Sequence, residues 1–274
     1  MMRRAVKSTF MALGAAMLLG GCVKTSGAPP QMLRQMARSY LIGVTYDQAL
    51  IASRQDNARA LRSSLNQLEE LNATDVAVDL QLSRAEEQVR AASILESQAF
   101  QVEQVNPARS HLLQGEATQK YRSALHWSPR FPSRDPELLN ALGYFLADRG
   151  TNKRDFENAE EFTRRALELL KKTIADNAQV GVSSQAWFRQ MRQTQANTQD
   201  SYAWALYKLQ RYGEAENAQA KALELAKNSG LNDRLALTEL WFHQAKILQA
   251  LGKTTEANAA MQKSRRLRPD RRKM

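Results

Sequence analysis

Apolar residues recur at intervals of three and four along most of this chain. Leu82, Ala85, Val89, Ala92, Leu95, Ala99 and Val102 define one face of a long helix. Leu61, Leu65 and Leu68 mark a shorter helix before it, and Asn72-Ala73-Thr74-Asp75 separates the two. The seven Pro fall at 29, 30, 107, 129, 132, 136 and 269, which leaves 31–106 and 137–268 without one. Long Pro-free stretches rich in Ala, Leu, Gln and Arg exclude a β-sandwich and predict an all-α protein. Residues 31–106 read as helical hairpins, with a coiled-coil contact to a partner helix as the other reading.

In the C-terminal half three segments align on a helix–turn–helix template with small residues at fixed places. The last carries Trp241, Ala245, Leu248, Gly252, Ala257, Leu267 and Pro269. The middle one carries Tyr202, Ala203, Leu206, Arg211-Tyr212-Gly213-Glu214-Ala215 and Ala222-Leu223-Glu224-Leu225. The first carries Leu139, Leu142, Gly143, Leu146, Gly150, Phe156, Ala159 and Ala166-Leu167-Glu168-Leu169. This pattern resembles the tetratricopeptide repeat. Gly143, Ala203 and Ala245 then lie where the two helices of a repeat cross, met from the second helix by Ala159, Ala215 and Ala257. Ala166, Ala222 and Trp241 pack within or between repeats, because no single repeat buries its own apolar face.

The spacing departs from the family's period of roughly 34 residues. Ala159 to Ala215 is 56 residues and Ala215 to Ala257 is 42. Thr151–Arg154 reads as an insertion, and Lys171–Asn197, with Trp187 and Phe188, as lengthened helices or an extra one. Ala117, Tyr121, Ala124, Leu125 and Pro129 suggest a fourth, degenerate second helix, whose partner would have to contain Pro107, a poor fit to a helix interior.

The resemblance implies a right-handed superhelix of helical hairpins, an α-solenoid, with a concave groove lined by the first helices. Mapped onto this chain, the groove positions are Glu137, Asn140, Tyr144 and Ala147, then Asp200, Trp204 and Tyr207, then Glu239, Phe242, Lys246 and Gln249. Aromatic residues with polar neighbours there suit capture of a peptide from a protein partner. Packing of Trp204 and Tyr207 against an adjacent helix is the competing reading. The groove has no cluster of Lys and Arg, so a clamp for a peptide carboxylate is not indicated.

The first 21 residues have a different character: Arg3, Arg4 and Lys7 precede an apolar run from Phe10 to Leu19 too short to span a bilayer. This is the layout of a secretory signal peptide. Leu19, Gly20 and Gly21 before Cys22, the only cysteine, resemble the lipobox of bacterial lipoproteins, which implies lipidation of Cys22. With Val23 rather than Asp next, the resemblance implies an outer-membrane anchor facing the periplasm. Residues 22–30 read as the lipidated tether.

At 43% hydrophobic and 24% charged, the composition excludes wholesale disorder. The formal charge is +11; residues 1–21 contribute three of those positive charges and no acid, leaving +8. The tail 265–274 holds a net +5, so residues 22–264, which are the tether, the hairpins and the repeat region 107–264, share only +3. The tail is a candidate for anionic headgroups or an acidic partner, or is simply solvated. The export signal and the lack of a basic face interleaved with aromatics argue against nucleic acid. His111, His126 and His243 have no metal-ligand spacing, and His243 reads as packing or surface. There is no nucleophile elbow, phosphate loop or dinucleotide fingerprint. No enzyme activity, cofactor, metal or small-molecule substrate is expected. A lipid-anchored repeat protein is similar in format to the assembly lipoproteins of tight-adherence (Flp) pili and the pilotins of type IV pili. That implies an adaptor in pilus or secretion-system assembly. A non-catalytic regulator of peptidoglycan synthesis or hydrolysis and a structural spacer are the alternatives.

Overall fold

In a computed structural model, residues 30–55, 57–103, 105–180 and 184–267 are described. The segment read as a signal peptide, with Leu19, Gly20 and Gly21, lies outside them, as do Cys22 and tail residues 268–274. Among the described residues all regular structure is helical: α1 Pro30–Arg54, α2 Ala58–Glu70, α3 Thr74–Val102, α4 Pro107–Trp127, α5 Pro136–Arg149, α6 Lys153–Val180, α7 Gln185–Lys208, α8 Tyr212–Ser229, α9 Arg234–Ala250 and α10 Thr254–Leu267. No helix among them is long and apolar enough to cross a membrane.

The chain divides into two compact units at Arg84/Ala85. In the first, α1 and α2 pair through a core that includes Ala49, Ala52, Leu61, Leu65 and Leu68. Asn57 caps α2 by accepting from the Ala60 amide at 3.1 Å. The guanidinium of Arg38 donates to the carbonyls of Leu71 and Asn72, at 2.8 and 3.2 Å, and ties α1 to the turn after α2.

In the second unit the helices pair in sequence, α5 with α6, α7 with α8 and α9 with α10, and the first helices of successive pairs, α5, α7 and α9, also pack on one another. This is an α-solenoid of helical hairpins. Its starts are written in the caps: Asp135 before Pro136 accepts from the Glu137 and Leu138 amides, and Asp233 accepts from those of Leu235 and Ala236. Pro107 likewise opens α4 behind the Asn106 cap, where its missing N–H costs nothing. The Pro that fits poorly inside a helix is thus at a helix start.

Small residues set the crossings. A Cβ on Gly143 would stand 2.6 Å from Thr163 Cγ2 and 3.2 Å from the Ala159 carbonyl oxygen. Ala203 and Leu206 of α7 meet Ala215 and Ala218 of α8, joined by Ile247 of α9. Ala245 and Leu248 meet Ala257 and Ala260, with Trp241 half-buried beside them. Ala166 and Ala222 are fully buried. The stretch that breaks the repeat period lengthens helices: α6 continues to Val180 and α7 starts at Gln185, with Trp187 and Phe188 packed edge to face at 5.0 Å.

One turn recurs. After α7 the Arg211 amide donates to the Leu206 carbonyl at 3.0 Å, with Gln210 left-handed at φ 63°. After α9 the Lys253 amide donates to Leu248, with Gly252 at φ 75°, and after α2 the Ala73 amide donates to Leu68, with Asn72 at φ 51°. Each is a Schellman ending that reverses the chain into the next helix.

Candidate functional site

The inner layer of the second unit is made by α5, α7 and α9, and their facing side chains are unusually polar for a buried surface. Asp200 of α7 is 4% exposed and His243 of α9 3%; the carboxylate Oδ2 lies 2.9 Å from His243 Nδ1. Gln219 of α8 donates through Nε2 to Asp200 Oδ1 at 2.6 Å and to the Leu240 carbonyl at 2.9 Å. Three hairpin elements are thereby joined through one carboxylate, both of whose oxygens are occupied. Burial works against a charged His243. The charge and hydrogen bond of Asp200, with Glu239 behind them, outweigh it and hold its pKa above the ordinary imidazole value.

An aromatic stack continues from this pair. The His243 ring lies 4.2 Å from that of Trp204, and Trp204 stacks on Tyr207 at 4.6 Å with 6° between planes. Lys208 Nζ stands 5.0 Å over the Trp204 ring. Trp204 is only 6% exposed, so this stack is a packed wall rather than an open surface.

Beside the wall lies a trough of about 950 Å³, with Phe100 at the end of α3, Tyr144 and Asp148 on α5, Leu235, Glu239, Phe242 and Lys246 on α9, and Met261 and Arg265 on α10. Lys246 Nζ sits 5.7 Å over the Phe242 ring. A smaller bay of about 240 Å³ opens off it and shares Tyr144, Leu235 and Glu239. Its other charged lining residues are Glu96, Asp200 and Asp233. Glu96 accepts from the Tyr121 hydroxyl at 2.8 Å. Burial raises its pKa against that hydrogen bond and the Arg149 charge.

Glu239 differs from its neighbours because it has neither hydrogen bond nor ion pair among the described residues. Burial, reinforced by the charges of Asp200, Asp148 and Glu96 and opposed by that of His243, pushes its pKa up to about 7. Burial also raises the Tyr144 phenol well above its usual range, with Glu239 and Asp148 adding to it.

The eleven groove positions inferred from the repeat therefore separate, with Glu239 lining both cavities, Ala147 fully buried and Glu137 exposed. Tyr144, Phe242 and Lys246 line the trough, and Asn140, Tyr144 and Asp200 line the bay. Trp204 and Tyr207 belong to the stack, and Gln249 is exposed and lines neither cavity. Sequence reading missed Gln219 as a partner of Asp200 and His243, and it missed Glu239 as the unpaired acid. The available signal was a polar residue inside a small apolar stripe: Asp200 sits between Ala196 and Ala203, and Gln219 between Ala215 and Ala222. No group of three or more His, Cys, Asp or Glu among the described residues is arranged to hold a metal ion.

Among solved structures, the crystal structure of BtubC (BKLC) from P. vanneervenii is similar at 19% identity and a TM-score of 0.40, covering 85% of this chain and 91% of that one. No curated protein matches the chain. Residues 197–229 match the family described as tetratricopeptide repeat. The matched segment holds Asp200 and Trp204 of the inner layer and Gln219 behind them, and repeats of this kind generally mediate protein–protein interaction.

Proposed function

We propose that this chain is a lipid-anchored adaptor that grips a protein partner at the cell envelope, in the assembly of a pilus or secretion system. The observation that carries the adaptor reading is the trough beside the tetratricopeptide repeat, an open cavity of about 950 Å³. Its apolar side chains, Phe100, Leu235, Phe242 and Met261, stand beside carboxylates. Membrane attachment through Cys22 rests on the lipobox resemblance of Leu19, Gly20 and Gly21 before it and on the basic and apolar segments ahead of them. An outer-membrane address facing the periplasm follows from Val23 after that cysteine. Acyl chains contribute roughly 0.8 kcal/mol per buried CH₂, so an anchor of several chains would hold the adaptor at the membrane throughout its working life.

The test is crosslinking in intact cells, followed by purification of the tagged full chain from detergent-solubilised membranes. Wild type, Cys22→Ser and Phe242→Ala are compared. A secretin or pilus subunit captured by wild type and lost in both variants supports the reading. Cell-wall enzymes in its place would move the function to regulation of peptidoglycan synthesis or hydrolysis. Wild type in the outer membrane with no captured protein would leave a spacer. Labelled palmitate on Cys22→Ser would overturn the anchor.

A further inference from the structure

The bay beside the trough has a composition that the trough lacks. Its charged lining residues are all acids, Glu96, Asp200, Asp233 and Glu239, and no Lys, Arg or His side chain lines it. Three of the four are already engaged. Asp200 holds Gln219 and His243, Glu96 holds Tyr121, and Asp233 caps α9. Glu239 alone has no donor among the described residues, and it stands where the bay opens into the trough. Two further lining residues tell the same story independently of charge. The side-chain oxygens of Asn140 and Asn197 are fully shielded from solvent and accept no hydrogen bond. Shielded acceptors without donors are costly, and so is a carboxylate taken out of water without a counter-ion. Around Glu239 the bay is therefore short of positive charge, and an extended cationic side chain supplies it.

We propose that the bay receives a Lys or Arg side chain of a partner peptide whose apolar residues lie in the trough against Leu235 and Phe242. This rests on the adaptor reading and specifies the partner's chemistry. The cation lies against the Glu239 carboxylate, while Phe242 and Leu235 take the neighbouring apolar side chains. The trough's own cations, Lys246 and Arg265, line the trough and not the bay.

The bay also gives this contact a pH signature. Glu239 faces Glu96 from α3, Tyr144 and Asp148 from α5, Asp200 from α7 and His243 one turn along its own helix, with Lys246 further along. Its pKa of about 7 leaves it half protonated at neutral pH, and the bound cation requires the ionised form. Affinity therefore rises with pH and levels off above the pKa, falling about tenfold between pH ~8 and pH ~6. His243 gains charge in the same direction and adds to the fall at low pH. The Lys and Arg of the peptide keep their charge throughout.

The experiment uses the full chain in detergent and short fluorescein-labelled peptides of alternating Leu and Ser with one central Lys, Arg, Ala or Glu. Anisotropy is read as a function of pH. The expected order is Lys and Arg tightest, Ala weaker and Glu weakest. The pH dependence of the Lys and Arg peptides should disappear in Glu239→Gln, and so should their advantage over Ala. Equal affinity of the Lys, Arg and Ala peptides, with loss in Phe242→Ala, would overturn the bay and leave an apolar-groove adaptor. No binding by any peptide would overturn it as well, with partner capture from membranes then deciding the adaptor reading separately. Binding that emerges only after deletion of 268–274 would assign the bay to the chain's own basic tail and overturn the partner.

Discussion

Gly143→Ala tests the helix crossing on which the first hairpin depends. The new methyl would stand 2.6 Å from Thr163 Cγ2, a separation that carbon atoms do not tolerate. Thr163 cannot easily yield. It is fully buried, and its hydroxyl donates to the Ala159 carbonyl at 2.7 Å, so rotating Cγ2 away gives up a bond worth about 1 kcal/mol. The alternative is to part α5 from α6, and overpacking of this kind costs about 1–3 kcal/mol. Against that, Ala is the better helix former by about 1 kcal/mol, which leaves a net loss of up to about 2 kcal/mol. Thr163→Ser supplies the decisive control. It removes Cγ2 and keeps the hydroxyl, so the nearest neighbours of the new methyl become the Ala159 carbonyl at 3.2 Å and the residue-163 amide nitrogen at 3.3 Å. In urea unfolding followed by far-ultraviolet circular dichroism, the double variant should recover, with a coupling of about 1–2 kcal/mol in the cycle. Additive single effects would refute the crossing.

Three other outcomes follow from single side chains. Gln210→Gly should raise the urea midpoint, by about 0.5–1 kcal/mol, because Gln210 holds φ 63° at a turn position where the last hairpin has Gly252; an unchanged midpoint would contradict the left-handed turn. Asp200→Ala should cost about 3–5 kcal/mol in the same assay, since it strands both His243 and Gln219 in the interior, and a loss under about 1 kcal/mol would mean the network is not formed. Glu239→Gln should leave stability near pH ~4 unchanged and increase it above pH ~7. The folded chain raises the Glu239 pKa from 4.5 to about 7, so it binds a proton more tightly than the unfolded chain and loses stability as pH rises between those values, by roughly 3 kcal/mol.

Much of this was legible before any coordinates. The helical hairpins could be read because their crossings need small residues, and Gly143, Ala203, Ala215, Ala245 and Ala257 mark those crossings in the sequence. Pro107 was harder. A Pro inside an apolar pattern reads as a break, and only the cap formed by Asn106 shows that it begins α4. The site was legible in part. Repeat positions predict which residues lie on the inner layer but not how deep each sits. Gln219 and His243 cover Asp200, and His243 and Tyr207 stack on Trp204, while Tyr144 and Phe242 line a cavity. The Asp200–His243 contact joins residues 43 apart, a distance that no local pattern encodes.

The two acids on the inner layer carry opposite energetic signs, and the difference separates scaffold from site. Asp200 has a donor on each oxygen, so its burial is compensated inside the protein and it locks α7, α8 and α9 together. Glu239 is set against the same helices, with burial and then the charges of Asp200, Asp148 and Glu96 raising its pKa, and it has no donor among the described residues. A residue chosen only for stability would be Gln there, with the same shape and none of the repulsion. Glu at that position carries a cost in the free protein that a bound cation reverses. Free energy lost by the unpaired carboxylate returns when a cation pairs with it, which is the arrangement expected of a recognition contact.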